Sequence, residues 1–157
     1  MEFLLYTAGS IGGLSYRQAT SWTHELGRLL RPEVKILSPM RYKEVLKDED
    51  IIKGSYEDQP ERGDELMLNR RAIVARDKFD VRRCDMLVAN LELSPRIASL
   101  GTVSEITIAH EHNKPVVLIL DITKDNVHNH PFVTEPAGWI VKNIQEAAHV
   151  INSVLCL

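Results

Sequence analysis

The chain lacks most of the features that mark specialised protein classes. Only two of its 157 residues are cysteine, Cys84 and Cys156. They lie far apart without metal-type spacing, so reduced thiols in a cytoplasmic protein are the simplest expectation. No apolar run approaches the ~20 residues of a membrane span. The opening MEFLLYTAGS has no basic n-region and too short an apolar stretch, so no signal peptide is expected. An excess of positive charge is also missing. The formal charge is −3, and Lys and Arg are scattered apart from the pairs Arg70-Arg71 and Arg82-Arg83. That leaves no electrostatic footprint for a nucleic-acid polymer or an anionic membrane. Repeats and low-complexity tracts are absent as well.

What remains is the balance of an ordinary globular protein, with 44% apolar and 26% charged residues in a length suited to one domain, residues 1–157. FLLYTA (3–8) reads as a buried strand stopped by the glycine turn GSIGG. Ser15 and Gln18 form a capping-box pattern, followed by Ala19, Trp22, Leu26 and Leu29 at helical spacing. VKILSP (34–39) is a second strand. Residues 41–65, with KDED and EDQPERGDE, read as a charged excursion from the core, a candidate lid. Met67, Val74 and Val81 at seven-residue spacing predict a helix over 66–83. DMLVANL (85–91) is a third strand, 102–112 a helix, KPVVLILD (114–121) the clearest buried strand, WIV (139–141) an edge strand and 143–155 a closing helix.

This alternation predicts an α/β fold, a flavodoxin/Rossmann-like doubly wound parallel sheet of about five strands with helices on both faces. In such sheets ligands bind beyond the carboxyl ends of the strands. The loops 8–15, 91–102 and 121–131 are therefore the places to look for chemistry.

SLGTVSE (99–105) carries the first candidate. Thr102 and Glu105 match the T-x-x-E capping box, in which the glutamate folds back onto its own backbone. The same glutamate, one turn into a helix at the ligand edge, is also a competent nucleophile at an anomeric carbon. Asp77 is the second candidate. It lies one turn from both Ile73 and Val81 and so interrupts an apolar stripe, where desolvation would raise its pKa and suit it to donate a proton. A structural pairing with Arg70 or Arg76 explains it equally well. The first loop, TAGSIGG, lacks the G-x-G-x-x-G order of a dinucleotide fingerprint, but its backbone is suited to close approach by a sugar or phosphate. His110 and His112, two apart on a helix, point to different faces, and HNH (128–130) lies in a loop. Surface or loop roles are expected for all four histidines, with no metal site. Cys84 reads as a packed thiol.

With these residues assembled, the chain resembles the nucleoside 2-deoxyribosyltransferase family, including its 2′-deoxynucleoside 5′-monophosphate N-glycosidase branch. The resemblance runs from YTAGSIGG through RDKFDVRRCDMLVANL and SLGTVSEITIAHEHNKPVVLIL to NHPFV. It implies Glu105 as nucleophile, Tyr6 as the hydroxyl that steadies it, and Asp77 as the residue that helps the base depart. It places Gly9, Ser10 and Gly13 in the loop lining the sugar and Ser99 at the 5′ end, and counts Gly12, Gly101 and Thr102 among the substrate-binding residues. Asn129 falls near the position that reaches a neighbouring subunit's site, so a homodimer or larger homo-oligomer is implied.

Where the free-nucleoside transferases resemble one another in an aspartate, this chain has Ser99, which favours a nucleotide because a carboxylate would repel a phosphate. The hydrolase branch has an arginine where this chain has Gly12, and Arg17 is the nearby candidate to replace it. The activity implied is cleavage of the N-glycosidic bond of a 2′-deoxynucleoside or its 5′-monophosphate, with the sugar passing to water or to another base. Neither a metal nor a redox cofactor is needed. Two alternatives are a cytokinin-type phosphoribohydrolase, whose paired glycines SLGTVSE lacks, and a nucleotide-binding sensor without catalysis.

Overall fold

The computed structural model describes residues 2–53 and 64–155. Its five strands, β1 (Phe3–Gly9), β2 (Val34–Leu37), β3 (Met86–Asn90), β4 (Val116–Ile119) and β5 (Trp139–Val141), form one parallel sheet in the order β2-β1-β3-β4-β5. β3 and β4 are buried throughout, as expected of strands covered on both faces. Strand order reverses between β1 and β3, which opens a crevice beyond their carboxyl ends.

The two faces are sorted by the two-residue period of the strands. Leu5, Met86, Val88, Val117 and Ile119 pack with Trp22 and Leu26 of α1 (Tyr16–Leu29) and Ala147 and Ile151 of α6 (Ile144–Leu155). Tyr6, Ala8, Leu87, Ala89 and Leu118 face the other way. They meet Val81 of α3 (Arg70–Arg83) and Ile106 and Ala109 of α4 (Leu100–Glu111). Tyr6 thus points toward the two helices that carry the candidate carboxylates. The capping box at Ser15 and Gln18 is formed. Leu29, at the last turn of α1, is largely exposed instead of joining the buried stripe.

Three features differ from the sequence reading. The helix expected over 66–83 is two helices, α2 (Glu65–Leu68) and α3, because Asn69 leaves the helical conformation and caps α3 by accepting from the Ala72 N–H. Of the expected buried face, Val81 is buried but Val74 is exposed; Leu68 and Asp80 are buried as well. α4 starts two residues earlier than expected. Residues 41–53, read as part of an excursion, are tied to the core. Met40, Leu46 and Ile52 cluster with Ala19, and backbone bonds join Asp48, Asp50 and Ile52 to the first loop and the start of α1. Residues 54–63 of that segment lie outside the described residues, as does Cys156. Cys84 is buried, its thiol donates to the Val81 carbonyl, and burial pushes its pKa up to about 11, as suits a packed thiol. α5 (Pro131–Thr134) completes the elements, and among the described residues no helix is long and apolar enough to cross a membrane.

Candidate active site

The early start of α4 settles the geometry of SLGTVSE. Ser99 is the N-cap residue and Thr102 lies inside the first turn, so a T-x-x-E box cannot form. Thr102 Oγ1 instead sits 2.8 Å from Ser99 Oγ. The Glu105 carboxylate accepts a 2.7 Å hydrogen bond from the Tyr6 hydroxyl of β1. It faces a cavity of about 220 Å³ at the β1/β3 crevice.

Asp77 lines the same cavity from α3. It also has the structural partner allowed for it, since Arg76 Nε donates to Asp77 Oδ1 at 3.0 Å. The Arg76 side chain is itself buried and donates to the carbonyls of Pro39 (3.0 Å) and Arg41 (3.3 Å), so it fastens the turn after β2 to α3. Asp80, one turn further along α3, is buried and pairs with Arg83 and with Arg41 of that turn.

Burial dominates the electrostatics. It pushes the Glu105 pKa up to about 8, opposed by the Tyr6 hydrogen bond and reinforced by the nearby Asp77 charge. Burial also raises Asp77, with Arg76 and Lys43 acting against it. Tyr6 is held well above its ordinary value by burial and by Glu105, so it remains a protonated donor.

Of the residues singled out from sequence, Gly9, Gly12, Asp77, Ser99, Gly101, Thr102 and Glu105 line the cavity together, with Tyr6 beneath them. At Gly9 an added Cβ would come within 3.2 Å of the Asn90 carbonyl and 3.3 Å of Leu93, which explains why β1 ends in glycine there. Ser10 is not on the wall; it is buried in a small crevice beside Trp22. Gly13 is not there either. It takes φ +82° and donates to the Ile52 carbonyl, shaping the turn. Asn129 is exposed and off this wall. Arg17, the candidate replacement cation, pairs with Asp48 and Glu49 at the surface and does not reach the cavity. Among the described residues the cations that line it are Lys43 and Lys53, with Pro39, Ile11 and Ile73 as its apolar wall. Sequence reading passed over them because residues 41–53 were assigned away from the core. Pro39, ending a strand at the ligand edge, was the available signal.

One histidine also departs from expectation. His128 is buried, and its Nε2 accepts from the Ser99 backbone N–H at 3.1 Å. Its Nδ1–H therefore donates to Asn126 Oδ1, at 2.9 Å, and Asn126 in turn donates to the Leu91 carbonyl. His128 thus fixes the loop that enters α4, whereas His110, His112 and His130 are exposed. Among the described residues no cluster of His, Cys, Asp and Glu side chains could hold a metal ion.

An open parallel α/β sheet with two carboxylates at its switch point narrows the class of protein. Residues 5–146 match the family model for nucleoside 2-deoxyribosyltransferase, and the chain belongs to that family. No curated protein matches it in sequence. Among solved structures, a conserved protein from Enterococcus faecalis V583 aligns with TM-score 0.65 at 18% identity, covering 99% of this chain and 100% of that one. The CMP N-glycosidase BcmB from Clostridium botulinum aligns at 0.56 and 13% identity, covering 97% and 99%. A molybdenum cofactor binding protein from Rippkaea orientalis aligns at 0.56 and 17%, covering 99% and 98%. At these identities the likeness is one of fold.

Proposed function

We propose that this protein cleaves the N-glycosidic bond of a 2′-deoxynucleoside 5′-monophosphate through a covalent deoxyribosyl ester on Glu105. Family membership supports the class of chemistry. The observation that carries the reading is the bond from Tyr6 to Glu105, which holds the carboxylate at the cavity and away from its own helix N-terminus.

Glu105 attacks C1′ of the bound sugar. A carbon–oxygen bond forms as the bond from C1′ to the base nitrogen breaks, and that electron pair leaves with the base. Asp77, whose pKa burial raises, delivers a proton to the departing base. Water then opens the ester and frees the sugar phosphate; a second base as acceptor would make the same reaction a transfer.

Two features favour the monophosphate over the free nucleoside. No side chain caps α4, so the positive end of a twelve-residue helix is open where Ser99, Gly101 and Thr102 line the cavity. Position 99 also carries a neutral hydroxyl. A homo-oligomer in which Asn129 reaches a neighbouring cavity belongs to the same reading, since Asn129 is exposed and off its own cavity wall.

The test is incubation with a panel of deoxynucleosides and their monophosphates, with chromatography for free base. A 2′-fluoro analogue should trap the ester for mass spectrometry on the peptide containing Glu105. Base release that survives Glu105→Ala would remove this mechanism. Tight binding with no release by the unaltered protein would favour a sensor.

A further inference from the structure

Lys43 is the least expected group in the cavity. It is only 9% exposed, yet among the described residues no carboxylate stands within ion-pair distance of its ammonium. Burial and the Arg76 charge lower its pKa while Asp77 acts against them, so negative charge developing in the cavity favours the ammonium. Its position is built, not incidental. Tyr42, just before it, takes φ +68°, a left-handed conformation uncommon for a bulky residue, and lies under the Arg76 guanidinium at 5.8 Å. The Lys43 N–H donates to the Met40 carbonyl, and the Lys43 carbonyl accepts from Leu46. Arg76 and Asp80 clamp the preceding residues to α3.

The clamp also sets which end of the cavity Lys43 serves. Its charge is felt at Asp77, while Glu105 is governed by burial, Tyr6 and Asp77. Lys43 therefore belongs with the acid side of the site.

Resting on the function proposed above, we infer that Lys43 binds the leaving base, donating from Nζ to a carbonyl oxygen adjacent to the glycosidic nitrogen. As the C1′–N bond breaks, its electron pair spreads from that nitrogen onto the neighbouring oxygen. Negative charge grows in the cavity that Lys43 lines, where a fixed cationic donor stabilises it. The proton that neutralises the base comes from Asp77. Lys43 keeps its own proton and, with Arg76, stabilises the Asp77 carboxylate left behind. The base class selected is the pyrimidine type, in which a carbonyl flanks the departing nitrogen.

The experiment compares the unaltered protein with Lys43→Met on uracil-type deoxynucleoside monophosphates graded by electron withdrawal at C5. Lys43→Met should lose about 100-fold in kcat on the unsubstituted base, the scale of removing a donor to developing charge. It should lose only a few-fold on the most electron-poor base, which leaves unaided. Lys43→Arg should keep the shallow dependence of the unaltered protein.

A uniform loss across the series would mean that Lys43 merely supports the fold, and unchanged rates would mean that it does nothing to the base. Either result overturns the inference while leaving the glycosidase reading intact. Failure of the unaltered protein to release any base would overturn both. If Lys43→Met does not fold, Lys43→Gln, which keeps a donor without the charge, should show the same steepened dependence in weaker form.

Discussion

The Tyr6 hydroxyl and the Glu105 carboxylate meet at 2.7 Å, across the junction of β1 and α4. That bond stabilises the ionised glutamate, the form needed for attack, against burial that pushes its pKa up to about 8. Tyr6→Phe removes the stabilisation and leaves the burial, so the pKa should rise further. Base release at pH 7 should fall roughly 10- to 100-fold, the value of a hydrogen bond to a charged group. The acid limb of the pH–rate profile should move to higher pH, with much of the activity regained in alkaline buffer. A profile that drops without moving would break the link between tyrosine and nucleophile.

Glu105→Gln separates catalysis from stability. Base release should fall at least ~1000-fold, as expected when a nucleophile is removed. Stability should move the other way. The folded-state pKa of Glu105 is raised above its ordinary 4.5, so the folded protein holds a proton that the unfolded chain has lost between those values. The contribution of Glu105 is complete below about 4.5 and is lost as pH rises through about 8. Glutamine carries no such penalty. The variant should therefore gain Tm relative to the unaltered protein as pH is raised from 5 to 8.5, with each kcal/mol worth roughly 2–4 °C at this chain length. A helix-capping glutamate would give a loss of stability at both pH values.

Much of this was readable from the chain because the signals were local. The period of FLLYTA, the glycine stop after it and the Ser15–Gln18 box each specify their own structure, and the parallel sheet follows from the alternation of strands and helices. The stripe formed by Ile73, Asp77 and Val81 was legible for the same reason. What was not legible depended on contacts between distant segments. Whether Thr102 or Ser99 begins α4 is decided by His128, whose ring holds the Ser99 N–H from 29 residues away. Lys43 looks like one more surface charge until Arg76 and Asp80 are seen to clamp its turn against α3. Residues 41–53 read as polar because their core anchors, Leu46 and Ile52, with Met40 just before the segment, stand six residues apart, too far to build a helical or alternating pattern.

Ser99→Asp addresses the phosphate. Aspartate is a favoured N-cap residue, so the substitution should keep or improve the start of α4. It also places a carboxylate at the cavity wall where a phosphate dianion would sit. The kcat/KM for the monophosphate should fall about 100-fold from that repulsion, while that for the free nucleoside should hold or rise. Equal losses on both substrates would place the phosphate elsewhere in the cavity.

His128 gives the site an acid-sensitive support. Burial lowers its pKa below the ordinary 6.5, so the folded protein keeps it neutral while the unfolded chain takes up a proton at that value. Its stabilisation is therefore complete above about 6.5 and is lost as pH falls toward the folded-state value. Once protonated, Nε2 becomes a donor facing the Ser99 N–H, and the bond that fixes the entry to α4 is gone. His128→Ala should cost about 1–3 kcal/mol at neutral pH, because the Ser99 N–H is left without a partner. His128→Gln offers an acceptor oxygen that does not titrate. Its melting temperature should fall less than that of the unaltered protein between pH 7.5 and 5, and its KM for the monophosphate should rise less over the same range. If the unaltered protein and the glutamine variant lose stability in parallel on acidification, the acid sensitivity resides in some other group, and His128 is only a spacer beneath the loop.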